Sequence, residues 1–328
     1  MFLLKKVCLN LFLPLLIVFS ALGLTGCSSK GRLNDWMEMD GKKKILSTTA
    51  QIGGLTAAIG GDRVDGWVLI QGDLDPHSYE IVKGDGEKVE RADLVFYNGL
   101  GLEHGASLAA LLKASAKAVP IGEKIAAAEP GRILKRGNTT DPHIWMDISL
   151  WKGAIGPIVE NLSRIDPEGT SYYEERGAAL ASEMDLAHNE LRSRLLKISP
   201  EKRYLVTSHD AFQYFTRSYL ADEQEANWKE RFAAPEGLAP DGQLNPLDIQ
   251  RIIDFVKAKR IEVIFPESNV SRDSIKKIAH ASRELGIELR VCAEPLYGDS
   301  MSGLAYLEMM SRNADVILRH LELSEPSQ

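Results

Sequence analysis

Residues 167–198 read PEGTSYYEERGAALASEMDLAHNELRSRLLKI, and this stretch decides the architecture. Its only glycines are Gly169 and Gly177, and no proline follows Pro167. Leu180, Met184, Ala187, Leu191 and Leu195 recur at helical spacing against a charged face. Pro167 and Pro200 bracket it, as prolines often bracket helices. At about 1.5 Å per residue, some thirty residues span roughly 45 Å. That is long for a helix inside one lobe and natural for a rigid strut joining two. Gly177 leaves a division into two shorter helices open, since an interior glycine costs only about 1 kcal/mol.

On either side of this strut, short apolar runs alternate with amphipathic stretches. Before it, strands are expected at Lys44–Ser47, Gly66–Ile70, Leu94–Tyr97 and Ala118–Ile121, with helices such as Leu55–Gly60 and Leu108–Ser115. After it, strands are expected at Tyr204–Ser208, Glu262–Phe265 and Glu288–Val291, separated by helical patterns at Leu247–Ala258 and Ser274–Leu285. Tyr306–Leu321 closes the chain as another amphipathic helix. Strand–helix alternation is the signature of βα units. The expected fold class is α/β: two lobes, each a mainly parallel sheet flanked by helices, joined by one long helix.

The N-terminus carries a different signal. Lys5 and Lys6 precede an apolar run from Val7 to Leu24, which ends in Leu24-Thr25-Gly26-Cys27. A basic start, an apolar core and small residues before a cut site describe a secretory leader. The last four residues resemble the lipobox of bacterial lipoproteins, which implies lipidation of Cys27. An uncleaved membrane helix is the competing reading, because the apolar run approaches spanning length. Polar residues Lys30 to Lys44 then read as a tether. The expected organisation is a leader at 1–26, a tether at 27–43, an N-terminal lobe at 44–166, the linking helix at 167–199 and a C-terminal lobe at 200–328.

Loss of Lys5 and Lys6 with the leader takes the formal net charge from −7 to −9. That argues against nucleic acid, which is bound chiefly by basic contacts to phosphate. It suits cations weakly. With Cys8 removed and Cys27 lipidated, Cys292 is the one remaining free thiol, so no internal disulfide is available to the mature chain.

The chemistry is concentrated in a repeated tripeptide, Asp75-Pro76-His77 and Asp141-Pro142-His143. Proline fixes its own φ and keeps the preceding residue extended, so each histidine is presented from a stiff turn. The aspartate two places earlier is placed to accept the second imidazole N–H, the contact that sets a ligand's tautomer. His209 ends the run Tyr204-Leu205-Val206-Thr207-Ser208-His209, and Asp299 follows the last expected strand within Pro295-Leu296-Tyr297-Gly298-Asp299-Ser300. Ligands of open α/β sheets bind outside the carboxyl ends of strands. His77, His209 and Asp299 obey that rule, while His143 has no clear strand before it. His104, His188, His280 and His320 lie on helical patterns without a supporting motif.

The two Asp-Pro-His turns, Val206-Thr207-Ser208-His209-Asp210-Ala211-Phe212 and Phe265-Pro266-Glu267-Ser268-Asn269-Val270 resemble the TroA-like solute-binding lipoproteins of bacterial zinc, manganese and iron ABC importers. Gly99-Leu100-Gly101-Leu102-Glu103 and Pro235-Glu236-Gly237-Leu238-Ala239-Pro240 extend the resemblance over the mature chain. The resemblance implies two lobes on one long helix, and a single transition metal ion held between them as transported ligand by His77, His143, His209 and Asp299. Asp75, Asp141 and Glu267 are expected just behind those ligands. It further implies a monomeric binding protein rather than an enzyme. The protein would be lipid-anchored outside the cytoplasmic membrane, in a periplasm or at a cell surface, and serve an ABC permease with a cytoplasmic ATPase.

Metal identity is less legible. Imidazole suits zinc and iron, whereas carboxylate favours harder ions such as manganese. Glu123 to Thr140, where zinc-dedicated relatives often carry a histidine-rich loop, contains no histidine, while manganese members often have glutamate where this chain has His209. Mn2+ or Fe2+/Fe3+ is expected ahead of Zn2+. Three alternatives stand beside this reading. A secreted zinc hydrolase would need an open coordination position and a free general base such as Glu267. An organic-solute receptor would need aromatic groups such as Trp145, Trp151 or Trp228 in its cleft. An adhesive role would leave the paired turns unexplained.

Overall fold

The computed structural model describes residues 29–240 and 244–322. The leader and the proposed lipidation residue Cys27 lie outside the described residues. Lys43–Ser47 (β1) carries two adjacent, fully buried residues, Ile45 and Leu46. Burial of consecutive side chains requires cover on both faces, which parallel sheets receive from their crossover helices. β1 pairs in parallel with Val64–Val68 (β2) and Leu94–Tyr97 (β3), and β3 with Ala118–Pro120 (β4), in the order β2-β1-β3-β4. Helices Ala50–Gly60, Asp85–Arg91 and Ala106–Ala114 make the crossovers. Two strands differ from expectation in extent. β2 starts earlier and stops at Val68, and Ile121 begins a helix rather than ending β4.

An antiparallel hairpin of Lys135–Arg136 (β5) and Thr139–Thr140 (β6) interrupts this alternation. Beyond the strut the strands are short: Leu205–Val206 (β7), Phe232–Ala233 (β8), Val263–Ile264 (β9) and Arg290–Val291 (β10). β7 pairs in parallel with β8, and β9 with β10. The Phe265 N–H donates to the Val206 carbonyl at 2.9 Å, which aligns the four as β10-β9-β7-β8. They are shorter than expected because the chain leaves the ladder early. Beyond Val206, backbone groups of Ser208 and His209 bond to loop residues and to a carboxylate.

The strut is a single helix, Thr170–Leu195, preceded by a 3-10 turn at Pro167–Gly169. It runs 26 residues without a break at Gly177. Tyr173, Gly177, Met184, Leu191 and Leu195 are buried along one side. Each large apolar side chain so buried contributes about 1.5–3 kcal/mol. Polar ties pin its two ends. Asp166 accepts from Arg63 at 2.7 and 2.8 Å and from Tyr173 Oη at 2.6 Å, and Arg194 pairs with Asp315 on the C-terminal helix Tyr306–Glu322. One hydrophobic cluster runs from Ile45 through Trp151, Met184 and Leu191 to Phe265 and Leu321, so the two sheets share a core through the strut.

Gly177 serves close packing. A Cβ there would stand 3.0 Å from Val159 Cγ2 and 3.1 Å from Ile155 Cγ2. Gly177→Leu should lower the unfolding free energy by about 1–3 kcal/mol in urea titration, despite roughly 1 kcal/mol of added helix propensity.

The expected tether is corrected at its C-terminal end. Residues Ser29–Met37 form a helix, Trp36 is 2% exposed, and its Nε1 donates to the Asp65 carbonyl at 3.0 Å. Lys44 is fully buried between Asp65 at 2.6 Å and Asp40 at 2.9 Å. A run that reads as polar therefore contributes a tryptophan to the fold, and its last lysine is neutralised by two carboxylates.

Candidate metal centre

His77, His143, His209 and Asp299 converge, all buried, with one potential ligand atom from each lying within 4.8 Å of the others. His143 Nε2 lies 3.2 Å from His77 Nε2 and 3.3 Å from Asp299 Oδ1. His209 Nε2 lies 3.2 Å, and His77 Nε2 3.6 Å, from Asp299 Oδ2. Donors on a tetrahedron around an ion at about 2.1 Å are separated by roughly 3.4 Å. The observed spacings bracket that edge.

Hydrogen bonding leaves two of these ligand atoms over, with a second pair of atoms directly behind them. His209 Nδ1 and Nε2, Asp299 Oδ1 and Glu267 Oε2 are buried without a hydrogen bond of acceptable geometry. Buried polar atoms are nearly always satisfied, so four orphans in one cluster point to a ligand site. Near contacts with poor angles fit groups arranged around a shared centre rather than toward each other.

Each ligand is positioned by local chemistry. His77 sits in the loop after β2, where Asp75 Oδ1 accepts the His77 backbone N–H at 2.9 Å and Asp75 Oδ2 accepts the Ser78 hydroxyl at 2.5 Å. The expected Asp75–imidazole contact is therefore corrected: Asp75 closes an Asx-type turn that shapes the backbone. In the second turn the expectation holds. Asp141 Oδ1 receives both the His143 N–H at 3.0 Å and ring Nδ1 at 2.7 Å. The strand missing before His143 is β6 of the hairpin, too short to read as a strand in the sequence. Asn98 Nδ2 holds the intervening Pro142 carbonyl at 3.1 Å.

His209 follows β7, and Glu267 lies behind it as expected. Glu267 Oε1 accepts the His209 backbone N–H at 2.8 Å, while Oε2 faces ring Nδ1 at 2.8 Å. Asp299 hangs on a loop fixed from three directions. Gln51 Nε2 donates to its carbonyl at 2.8 Å, Asn269 Nδ2 donates to Oδ2 at 3.2 Å, and Trp145 Nε1 donates to the Gly298 carbonyl at 2.9 Å. Sequence reading missed Gln51, Asn269 and the buried Glu103, whose carboxylate ties Thr48, Asn98 and Gly99 together at the ends of β1 and β3. Nothing in the local sequence marks Gln51, and Asn269 and Glu103 lie within segments that carry the resemblance but have no role assigned there.

Gly298 is the other residue missed. A Cβ there would lie 2.4 Å from Glu267 Oε2 and 3.5 Å from His209 Cε1. Gly298→Ala should displace the Glu267 carboxylate and weaken metal binding about 10–100-fold, as losses behind a ligand histidine do. Competition titration against a metal-chelating dye would check this.

The four ligands differ in proton affinity. Burial pulls His77 down to about 3, against the attraction of Asp299. Burial acts the same way on His143, but its bonds to Asp141 and Asp299 outweigh it and lift the ring to about 9. For His209, the Glu267 and Asp299 carboxylates overcome burial and hold the ring well above the ordinary imidazole value. Asp299 is held well below the usual carboxylate range, since His209 and His143 outweigh its burial.

A cleft of about 330 Å³ reaches His77 between Gly101 and His104 on one lip and Gly237 to Ala239 on the other. Trp145 and Trp151 are buried in the core rather than lining a solute cleft.

Residues 45–320 match the family model described as Zinc-uptake complex component A periplasmic, ZnuA. The chain belongs to the ZnuA family. Metal-binding protein YtgA of Chlamydia pneumoniae is 36% identical over 307 residues, covering 92% of each chain. Manganese-binding lipoprotein MntA of Bacillus subtilis is 30% identical over 293 residues, 87% of this chain and 89% of that one. Among solved structures, Fe(III)-bound YtgA from Chlamydia trachomatis superposes with a TM-score of 0.81 at 35% identity, covering 85% of this chain and 98% of its own. The ZnuA-family fold is the α/β architecture with a long helix described above. Among the described residues no helix is long and apolar enough to cross a membrane.

Proposed function

We propose that this chain captures one first-row transition metal ion through His77, His143, His209 and Asp299 and delivers it to an ABC permease. The observation that carries the reading is the buried set of four ligand atoms within 4.8 Å, with His209 Nε2 and Asp299 Oδ1 left without hydrogen-bond partners. Membership of a family of uptake-complex components supports the transport role. The protein would act outside the cytoplasmic membrane as a monomer, anchored through lipid on Cys27. Residues 44–166 and 200–328 would form the two lobes on either side of the 167–199 helix.

Iron or manganese is favoured over zinc. Both Asp299 oxygens face imidazoles, Oδ1 toward His143 and Oδ2 toward His77 and His209. Bidentate coordination would raise the coordination number above the four that protein-bound zinc prefers. Three buried carboxylates, Asp141, Glu267 and Asp299, also stand around three imidazoles. With the rings neutral, that negative charge exceeds what a divalent ion offsets and suits ferric iron. The comparisons name iron, manganese and zinc alike, so the ranking rests on the carboxylates of the site.

The hydrolase alternative is weakened because Asp299 occupies the fourth position and Glu267 is engaged with His209. The first experiment is elemental analysis of the chain from Ser28 onward, purified without a metal-affinity tag. About one equivalent of iron, manganese or zinc is expected. No bound metal, and none taken up after stripping and re-addition, would overturn the proposal and return an organic solute to consideration.

A further inference from the structure

Two of the ligand loops are joined near the surface by a contact that the ligand set does not require. Asp73 lies four residues before His77, on the same loop after β2. Its Oδ1 accepts the Ser300 hydroxyl at 2.6 Å and the Ser302 hydroxyl at 2.7 Å. Ser300 is adjacent to Asp299, and its hydroxyl also lies 2.8 Å from that of Ser268. A single carboxylate oxygen thus gathers two hydroxyls from a loop more than two hundred residues away in sequence.

The Asp299 loop is under conformational load where Asp73 meets it. Ser302 has φ +44, in the left-handed region that non-glycine residues seldom occupy. Such a conformation persists only where surrounding contacts outweigh its cost. The Asp73–Ser302 bond is one such contact. The other side-chain holds on this loop, from Gln51, Asn269 and Trp145, reach Asp299 and Gly298, while within 300–302 Ser300 also meets Ser268 and the carbonyl of the buried Met301 accepts the Leu304 N–H at 2.8 Å.

We propose that Asp73 is a positioning residue that latches the Asp299 loop against the His77 loop and so governs how fast the ion leaves. The inference rests on reading His77 and Asp299 as ligands. The ion departs when Asp299 swings away from the three imidazoles, and release of Ser300 and Ser302 from Asp73 is the step that frees the loop. Asp73 and Ser302 are exposed, so water or a docking partner can compete for these hydrogen bonds. That makes the latch openable from the surface without disturbing the buried carboxylates behind the ligands.

The test separates release from capture. The chain is loaded with Mn2+ or Zn2+ and mixed with excess chelator in a stopped-flow instrument, and association is measured with the stripped protein. Asp73→Asn and the double variant Ser300→Ala/Ser302→Ala should each speed release about tenfold, as loss of partly exposed charge-assisted hydrogen bonds would. The serine pair leaves the charge unchanged, so its association rate should stay within about threefold of wild type. Combining all three changes should add little, since they break one contact. Unchanged release in both variants, with wild type loaded, overturns the latch alone. An effect confined to association in Asp73→Asn, with the serine pair inert, also overturns it and leaves Asp73 as a surface charge. A wild-type chain that binds neither of these ions nor iron overturns the ligand reading and the latch with it.

Discussion

His209→Ala should reduce metal affinity by about 10²–10⁴-fold, more than any change behind the ligands. His209 is the ring that faces two carboxylates, with Glu267 on Nδ1 at 2.8 Å and Asp299 on Nε2 at 3.2 Å. Its removal deletes a donor and strips both buried carboxylates of their shared partner. Breaking a buried ionic contact by removing one side costs about 3–5 kcal/mol, and each 1.4 kcal/mol is tenfold in affinity. Glu267→Gln removes the charge but keeps the shape, so it should cost only about 10–100-fold. The double variant His77→Ala/His209→Ala should carry no metal through purification. Titration of stripped protein with competing chelators would check the order. A His209→Ala protein that binds as tightly as wild type would remove His209 from the ligand set.

Metal affinity should also fall by about 100-fold for each pH unit between pH 8 and pH 6. The sign follows from which rings carry protons before the ion arrives. His143, lifted to about 9, and His209, raised well above the ordinary value, are both protonated through that window. A metal binds only the neutral ring, so capture must expel two protons, and each expelled proton contributes about one decade per pH unit. His77, lowered to about 3, is already neutral there, and Asp299 is already ionised. Neither adds to the slope. Calorimetry in buffers of different ionisation enthalpy should register about two protons released per ion at pH 7. Asp141→Asn removes the charge behind the hydrogen bond that lifts His143, so that count should move toward one. Uptake with no proton release would contradict this account of the charges.

The two outcomes draw on different layers of the molecule. That His77 and His143 are ligand candidates was legible because each sits in an Asp-Pro-His turn, and the stiffness of that turn is a local property of proline. Yet the aspartates of the two turns act differently. Asp141 reaches the imidazole, whereas Asp75 turns back to the Ser78 hydroxyl. The difference arises from neighbours remote in sequence. Tyr214 Oη and Asn98 hold the Asp141 and Pro142 carbonyls in the core, while the Asp75 turn lies near the surface. Likewise the long helix was visible in its apolar spacing, but the tolerance of Gly177 was not. Its neighbours Ile155 and Val159 come from another helix.

What the sequence by itself determined is therefore the periodic and the covalent: the βα alternation, the strut, the two stiff histidine turns and the strand-end His209. These depend on spacing within a few residues, where backbone geometry leaves few choices. Only the tertiary structure decided that a two-residue hairpin delivers His143 and that Gly298 makes room for Glu267. It also decided that Asp73 grips the Asp299 loop, and that burial lowers the proton affinity of His77 while carboxylates raise that of His143 and His209. Those facts turn on which carboxylate ends beside which ring. Glu267 and His209 are 58 residues apart in the chain, and Ser300 and Asp73 are 227 apart. Electrostatic and packing energies depend on distance in space, and local spacing carries no record of it.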